Sequence, residues 1–145
     1  AGKIAAYAQG FAVMEAASRE FTWNLPMATI ARIWRAGCII RSQFLDTIAS
    51  AFEQNKGLSN LLLAPDFVTM MQGATPALRH IVARGAQEGL PLPALSSALA
   101  FFDSYRQARG TANLIQAQRD FFGAHGFKRL DGEGDFHGPW GSGNN

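Results

Sequence analysis

The sequence predicts an all-α domain: a multi-helix, bundle-like body with an extended glycine-rich C-terminal tail. Three observations carry this. Apolar residues recur every three to four positions almost throughout, the period of an amphipathic helix, beginning with Ile4, Ala8, Phe11 and Ala12. Alternation at period two, which a half-buried strand requires, is never sustained. The breaks between periodic runs fall on turn and helix-boundary residues such as Asn24-Leu25-Pro26 and Asn55-Lys56-Gly57.

Taken in order, the first helix runs from about Ile4 to about Phe21, and its alanine-rich, glycine-interrupted surface suggests close packing on another helix. A second begins at Met27 and reaches Arg35, where Ala36-Gly37 can interrupt it before a third stretch at 39–52. Positions 58–63 form a short helical piece, and Pro65-Asp66 opens another helix through Met71. Thr75-Pro76 reads as an N-cap followed by proline at the first helical position, starting a separate helix that ends near Gln87. Gly89-Leu90-Pro91-Leu92-Pro93 is a stiff connector, the next helix spans 93–108, and 112–122 forms the last. In that last helix Leu114, Ala117 and Phe121, together with Ile115 and Phe122, repeat at helical spacing and are expected to face a core. Asn113, Gln116 and Asp120 fall on the other side, and Gly123 is a stop signal.

Composition narrows the function classes. A chain of 145 residues makes one domain, able to bury about two-thirds of its unfolded surface. Thirteen basic against eleven acidic residues leave a net charge of +2, too little to argue for nucleic acid, and no aromatic stacking platform or basic run supports it. No apolar stretch approaches the roughly 20 residues that span a bilayer, and Lys3, Gln9 and Gly10 interrupt the start where a signal peptide would be apolar. The single cysteine, Cys38, excludes an internal disulfide and fits a reducing cytoplasm; its apolar neighbours make it a buried, inert thiol. The expectation is a cytoplasmic protein without membrane or nucleic-acid partners.

The helical domain is expected to cover 1–130 and the tail 131–145. Gly132, Gly134, Gly138, Gly141, Gly143 and Pro139 bar a regular element from the tail, yet Phe136 and Trp140 are large apolar groups that need burial. They can dock on this domain or on another subunit; the alternative is a frayed terminus with incidental aromatics.

Among candidate sites, Arg119 in the last turn of the final helix and His125 just beyond it stand out. Arginine presents a planar fork suited to phosphate oxygens, and histidine adds a donor that titrates near neutral pH. The pair can grip a phosphorylated anion. An arginine at a helix C-terminus also simply complements the macrodipole. The other constellations point to structure. Arg32 and Arg35 share a helical face and are read, with Arg41, as a solvated face or as structural ion pairs with Asp46 and Glu53 rather than as a phosphate or nucleic-acid patch. His80, His125 and His137 lack short metal-ligand spacing, so no metal is expected. Ser96, Ser97 and Ser104 have no nucleophile-elbow context, and no G-x-G-x-x-G follows a strand.

The run QRDFFGAH at 118–125, with KIAAYAQGF at 3–11, RAGCIIRS at 35–42, NLLLAP at 60–65, GLPLP at 89–93 and DSYR at 103–106, resembles the decarboxylating 6-phosphogluconate dehydrogenase family. The blocks come in the right order over nearly the whole chain. The resemblance covers the distal part of that family's C-terminal helical domain plus its tail. It implies a homodimeric enzyme that oxidises the C3 hydroxyl of 6-phosphogluconate with NADP and then releases carbon dioxide to leave ribulose 5-phosphate. It places the NADP domain and the catalytic lysine and glutamate upstream of this chain, which alone is expected to be inactive; Lys3 is not that lysine. It makes Arg119 and His125 substrate-binding residues that enter the neighbouring subunit's active site, and sends the tail across that subunit. Phe121 stands where tyrosine is common, Gly126-Phe127 where Thr-Tyr is common, and Gly138-Pro139 where threonine and a polar residue are usual. The alternative reading is a stand-alone, non-catalytic helical interaction or anion-binding module.

Overall fold

The computed structural model describes residues 1–37 and 43–140. Among them are six α-helices: α1 (Gly2–Glu20), α2 (Met27–Gly37), α3 (Gln43–Gln54), α4 (Pro65–Gln87), α5 (Pro93–Tyr105) and α6 (Ala112–Gly123), with a 3-10 turn at Leu61–Leu63. Extended pairing among the described residues is limited to one antiparallel bridge, Phe127 with Phe136. The all-α expectation holds. Among the described residues no helix is long and apolar enough to cross a membrane. Cys38 and Arg41 lie outside the described residues, as do Gly141 and Gly143.

The chain divides into two compact units, Ala1–Phe102 and Asp103–Asn145. The division falls inside the last turn of α5 and leaves α6 and the residues after it in one unit.

Unit 1 has an ordinary hydrophobic core. Ile4, Ala8 and Phe11 of α1 meet Ala31 of α2, Ile48 and Phe52 of α3, and Leu61, Phe67 and Met71 beyond. Aromatic rings thread it: Phe11 lies 5.3 Å from Phe52, and Phe44 meets Phe67 edge-on at 5.6 Å. Loops are tied to the core by buried polar side chains. Asn60 Oδ1 accepts from the Leu62 amide at 2.9 Å and starts the 3-10 turn, while Ser18 Oγ accepts from the Leu25 amide at 2.9 Å and closes the loop after α1. Of the two structural readings of these arginines, ion pairs form: Arg32 with Glu53, and Arg35 with Asp46 at 2.9 Å, clasping α2 to α3. Both pairs are about half exposed and add little stability.

One expectation is corrected. Thr75-Pro76 does not start a helix; Pro76 lies inside the 23-residue α4. Phe67, Met71, Leu78 and Gly85 are buried along one stripe on both sides of Pro76, so packing holds the helix through a residue that cannot donate. Thr75 turns its hydroxyl back to the Met71 carbonyl at 2.6 Å instead of capping. Close approach in α1 occurs at Gly2, where a Cβ would come within 2.9 Å of Leu95, whereas Gly10 faces open space.

Phe67 is fully buried, and replacing it by alanine leaves a cavity among helices that cannot collapse to fill it. Phe67→Ala should lower the unfolding free energy of the chain by about 3–5 kcal/mol in urea titration. A loss below about 1 kcal/mol would mean that the surrounding helices repack freely.

Candidate functional site

Unit 2 is organised around the end of α6. The helix stops at Ala124, which adopts a left-handed conformation (φ 48°, ψ 41°) and donates its N–H to the Asp120 carbonyl at 2.8 Å. That conformation costs a residue with a Cβ roughly 1–2 kcal/mol, and glycine usually holds such a cap. Here the glycine stands one position earlier and has a different use. A Cβ on Gly123 would lie 2.7 Å from His125 Nε2, so the imidazole folds back over the bare helix end. Beyond it the chain turns and returns, pairing Phe127 with Phe136 through two 2.9 Å backbone hydrogen bonds.

Asp120 ties these segments together. Its side chain is fully buried. Oδ1 accepts from the Gly126 amide at 2.8 Å and from His137 Nδ1 at 2.7 Å. Oδ2 accepts from the Gly138 amide at 2.8 Å and from Trp140 Nε1 at 2.7 Å. Four donors fill the four lone-pair directions of an ionised carboxylate, which places the His137 proton on Nδ1. The Gly138 amide, against the opposing push of burial, and then Trp140, His137 and Gly126 hold the carboxyl far below the usual carboxylate range. Trp140 reaches it because its indole crosses Gly138, where a Cβ would sit 2.2 Å from the ring. Its ring also meets Phe121 edge-on at 5.8 Å.

Arg119 and His125 are both exposed. Arg119 Nη1 donates to Gln116 Oε1 at 3.3 Å, and Gln116 Nε2 donates in turn to the Gly126 carbonyl. The arginine and the turn that carries the histidine therefore share one network, Arg119 to Gln116 to Gly126 to Asp120. The arrangement offers an exposed guanidinium and, tied into the same hydrogen-bond network, an exposed histidine on backbone fixed by Asp120, residue types that suit an anion arriving from solvent. A groove of about 740 Å³ in the same unit, bounded by Arg109, Asn113, Gln116, Arg129 and Trp140, does not include Arg119 or His125 in its walls. His80 belongs to α4 in unit 1, and His137 is spent on Asp120.

Residues 1–140 match the model of the 6-phosphogluconate dehydrogenase C-terminal domain. The chain belongs to the 6-phosphogluconate dehydrogenase family. It is 55% identical over 139 residues to the decarboxylating 6-phosphogluconate dehydrogenase of Klebsiella pneumoniae, covering 96% of this chain and 30% of that protein. It is 54% identical over 138 residues to that of Staphylococcus aureus strain N315, covering 95% and 30%. The solved 6-phosphogluconate dehydrogenase of Plasmodium falciparum, described in apo form, with its cofactor NADP+ and with its substrate 6-phosphogluconate, superposes with a TM-score of 0.89 at 42% identity. That alignment again covers 96% of this chain and 30% of the other. The chain thus spans under a third of the length of these relatives.

In this member of the 6-phosphogluconate dehydrogenase family, two features of α6 depart from the sequence expectation. Leu114, Ile115, Phe121 and Phe122 do not face a core: Leu114 is 74% exposed and Phe122 75%. Asp120, assigned to the polar side with Asn113 and Gln116, is the buried residue. Helical periodicity finds the stripe but cannot say which stripe the fold covers, and here the covered one is held by charge-assisted hydrogen bonds. One signal pointed to Asp120: a carboxylate in the last turn of a helix opposes the macrodipole and needs compensating donors nearby.

Asp120 also gives unit 2 a pH response. Its pKa is depressed on folding, so its contribution is complete above the unfolded value of about 4 and is lost as pH falls through the folded value. The indole proton of Trp140 and the amides of Gly126 and Gly138 should therefore stay protected from exchange at pH 5 by NMR and lose protection only in stronger acid. In Asp120→Asn that protection should already be weak at neutral pH. Loss of protection in the wild type already at pH 5 would mean that the Asp120 carboxylate does not hold these donors.

Proposed function

We propose that this chain is the distal helical portion of an NADP-dependent, decarboxylating 6-phosphogluconate dehydrogenase, contributing Arg119 and His125 to the phosphate end of the substrate in a neighbouring subunit's active site. The observation that carries the reading is the placement of the two signature residues: both are exposed, Arg119 near the end of α6 and His125 on the following turn, whose backbone is hydrogen-bonded to Asp120. Arg119 supplies a bidentate, charge-assisted contact to phosphate, and His125 donates to phosphate or to a neighbouring hydroxyl. Both act by holding the substrate, which fixes C3 where its hydride can leave. NADP supplies the hydride acceptor when bound. The described residues fit it poorly, with no strand leading into a glycine fingerprint, so the nucleotide belongs to the upstream part of the enzyme, together with the acid–base pair. The open face of Leu114, Ile115, Phe121 and Phe122 supports a homodimer in which unit 2 is completed by the second subunit. A cytoplasmic setting agrees with the single cysteine. Alone, the chain forms no NADPH from 6-phosphogluconate.

In the intact enzyme, Arg119→Ala should raise KM for 6-phosphogluconate about 10–100-fold, the worth of a charged hydrogen-bond pair, and leave KM for NADP nearly unchanged. Equal small rises in both constants would remove Arg119 from this role. Gly123→Ala is a sharper probe of His125, because the new methyl displaces the imidazole while alanine suits a helix better than glycine. Steady-state kinetics should show a raised KM for 6-phosphogluconate at an unchanged or slightly higher Tm; an unchanged KM would mean that His125 binds nothing in its folded-back position.

A further inference from the structure

We propose that Asp120 is a positioning residue for substrate binding, holding the His125 turn to the C-terminal tail so that phosphate affinity depends on whether residues 136–140 are docked. The inference rests on the reading above for Arg119 and His125 and adds to it the residue that aims them.

His125 is flanked by two amides, Ala124 and Gly126, and both donate to Asp120, one to its carbonyl and one to its carboxylate, each at 2.8 Å. The backbone carbonyl bond would survive any side chain at position 120; the carboxylate bond would not. The same carboxylate oxygen also takes His137 Nδ1, and its partner oxygen takes the Gly138 amide and the Trp140 indole. No hydrophobic core lies between α6 and this part of the tail to do the work instead, since Phe122 and Leu130 are exposed and Phe121 meets Trp140 at its edge. The orientation of His125 is thus set by a polar clamp whose other half is the tail. Gln116 extends the clamp to Arg119 through the Gly126 carbonyl. Undocking the tail leaves a buried carboxylate short of three donors, and water or a rearranged turn must replace them. The Gly126 amide then loses its fixed acceptor, and the turn that aims His125 is free to move. A displacement of about 1 Å in a substrate-holding group is enough to cost orders of magnitude in efficiency.

The test is a set of variants in the intact enzyme, read as KM for 6-phosphogluconate against KM for NADP, with Tm recorded for each. Asp120→Asn keeps the shape but replaces one acceptor oxygen by a donor. It should raise KM for 6-phosphogluconate about tenfold or more, with KM for NADP within about twofold. Trp140→Phe, which removes one donor and keeps the ring, covers the case in which Asp120→Asn does not fold; it should raise the same constant by a smaller factor. In the double variant the two effects should not add, because the tail acts through the carboxylate. Additive effects, or equal rises in both KM values in step with a fall in Tm, would reduce Asp120 to a structural residue and overturn the proposal. Arg119→Ala run alongside separates the two claims. If it raises KM for 6-phosphogluconate while Asp120→Asn and Trp140→Phe do not, positioning by Asp120 is wrong and the substrate reading stands. If Arg119→Ala itself has no effect, the substrate reading fails and the inference falls with it.

Discussion

The Asp120 carboxylate is the constraint on which unit 2 depends. A negative charge at a helix C-terminus meets the partial negative charge of the last carbonyls, a placement that costs rather than contributes. Buried as well, it would be intolerable without partners. Four donors reverse the balance, and each comes from a segment that then has to be where it is: the turn at Gly126, and the tail at His137, Gly138 and Trp140. The left-handed Ala124 and the Phe127–Phe136 bridge follow from the path the chain must take between those points. Lys128 with Asp135, and Arg129 with Asp131 and the Phe136 ring, brace the returning strands from the solvent side.

The two units are stabilised by different physics. Unit 1 buries aliphatic and aromatic side chains from four helices and a 3-10 turn around Phe11, Ile48 and Phe67. Its polar interior groups, Ser18 and Asn60, serve loop ends. Unit 2 has little apolar interior, and its most thoroughly buried side chain is a carboxylate. Hydrogen bonds to an ion are directional and geometrically exacting, whereas apolar packing tolerates small shifts. The phosphate grip proposed for Arg119 and His125 would be well served by the first kind of support. The apolar stripe of α6, free of this duty, remains open to the second subunit in the proposed assembly.

Family membership and the fine structure of the site were legible to different degrees. The ordered blocks from KIAAYAQGF to QRDFFGAH carry the family in the sequence itself, whereas for Arg32 and Arg35 charge and spacing left a solvated face or ion pairs open, and the fold set the pairs Arg32–Glu53 and Arg35–Asp46. Pro76 misled, because local boundary chemistry favours a helix start there and only the buried stripe through Phe67, Met71 and Leu78 overrides it. Gly123 was read correctly as a helix end, but for the wrong reason: its missing side chain makes room for His125, while Ala124 takes the left-handed turn.

By itself, then, the sequence determined the all-α class and most helix boundaries, since periodicity and turn residues are local properties, and it singled out Arg119 and His125 as the residues to propose for an anion grip. Tertiary structure alone decided which side of α6 is covered. Amphipathic pattern marks two faces but is silent on where the chain returns, and it is the returning tail, with its amides, imidazole and indole, that makes the Asp120 side the inside and leaves Leu114 and Phe122 out.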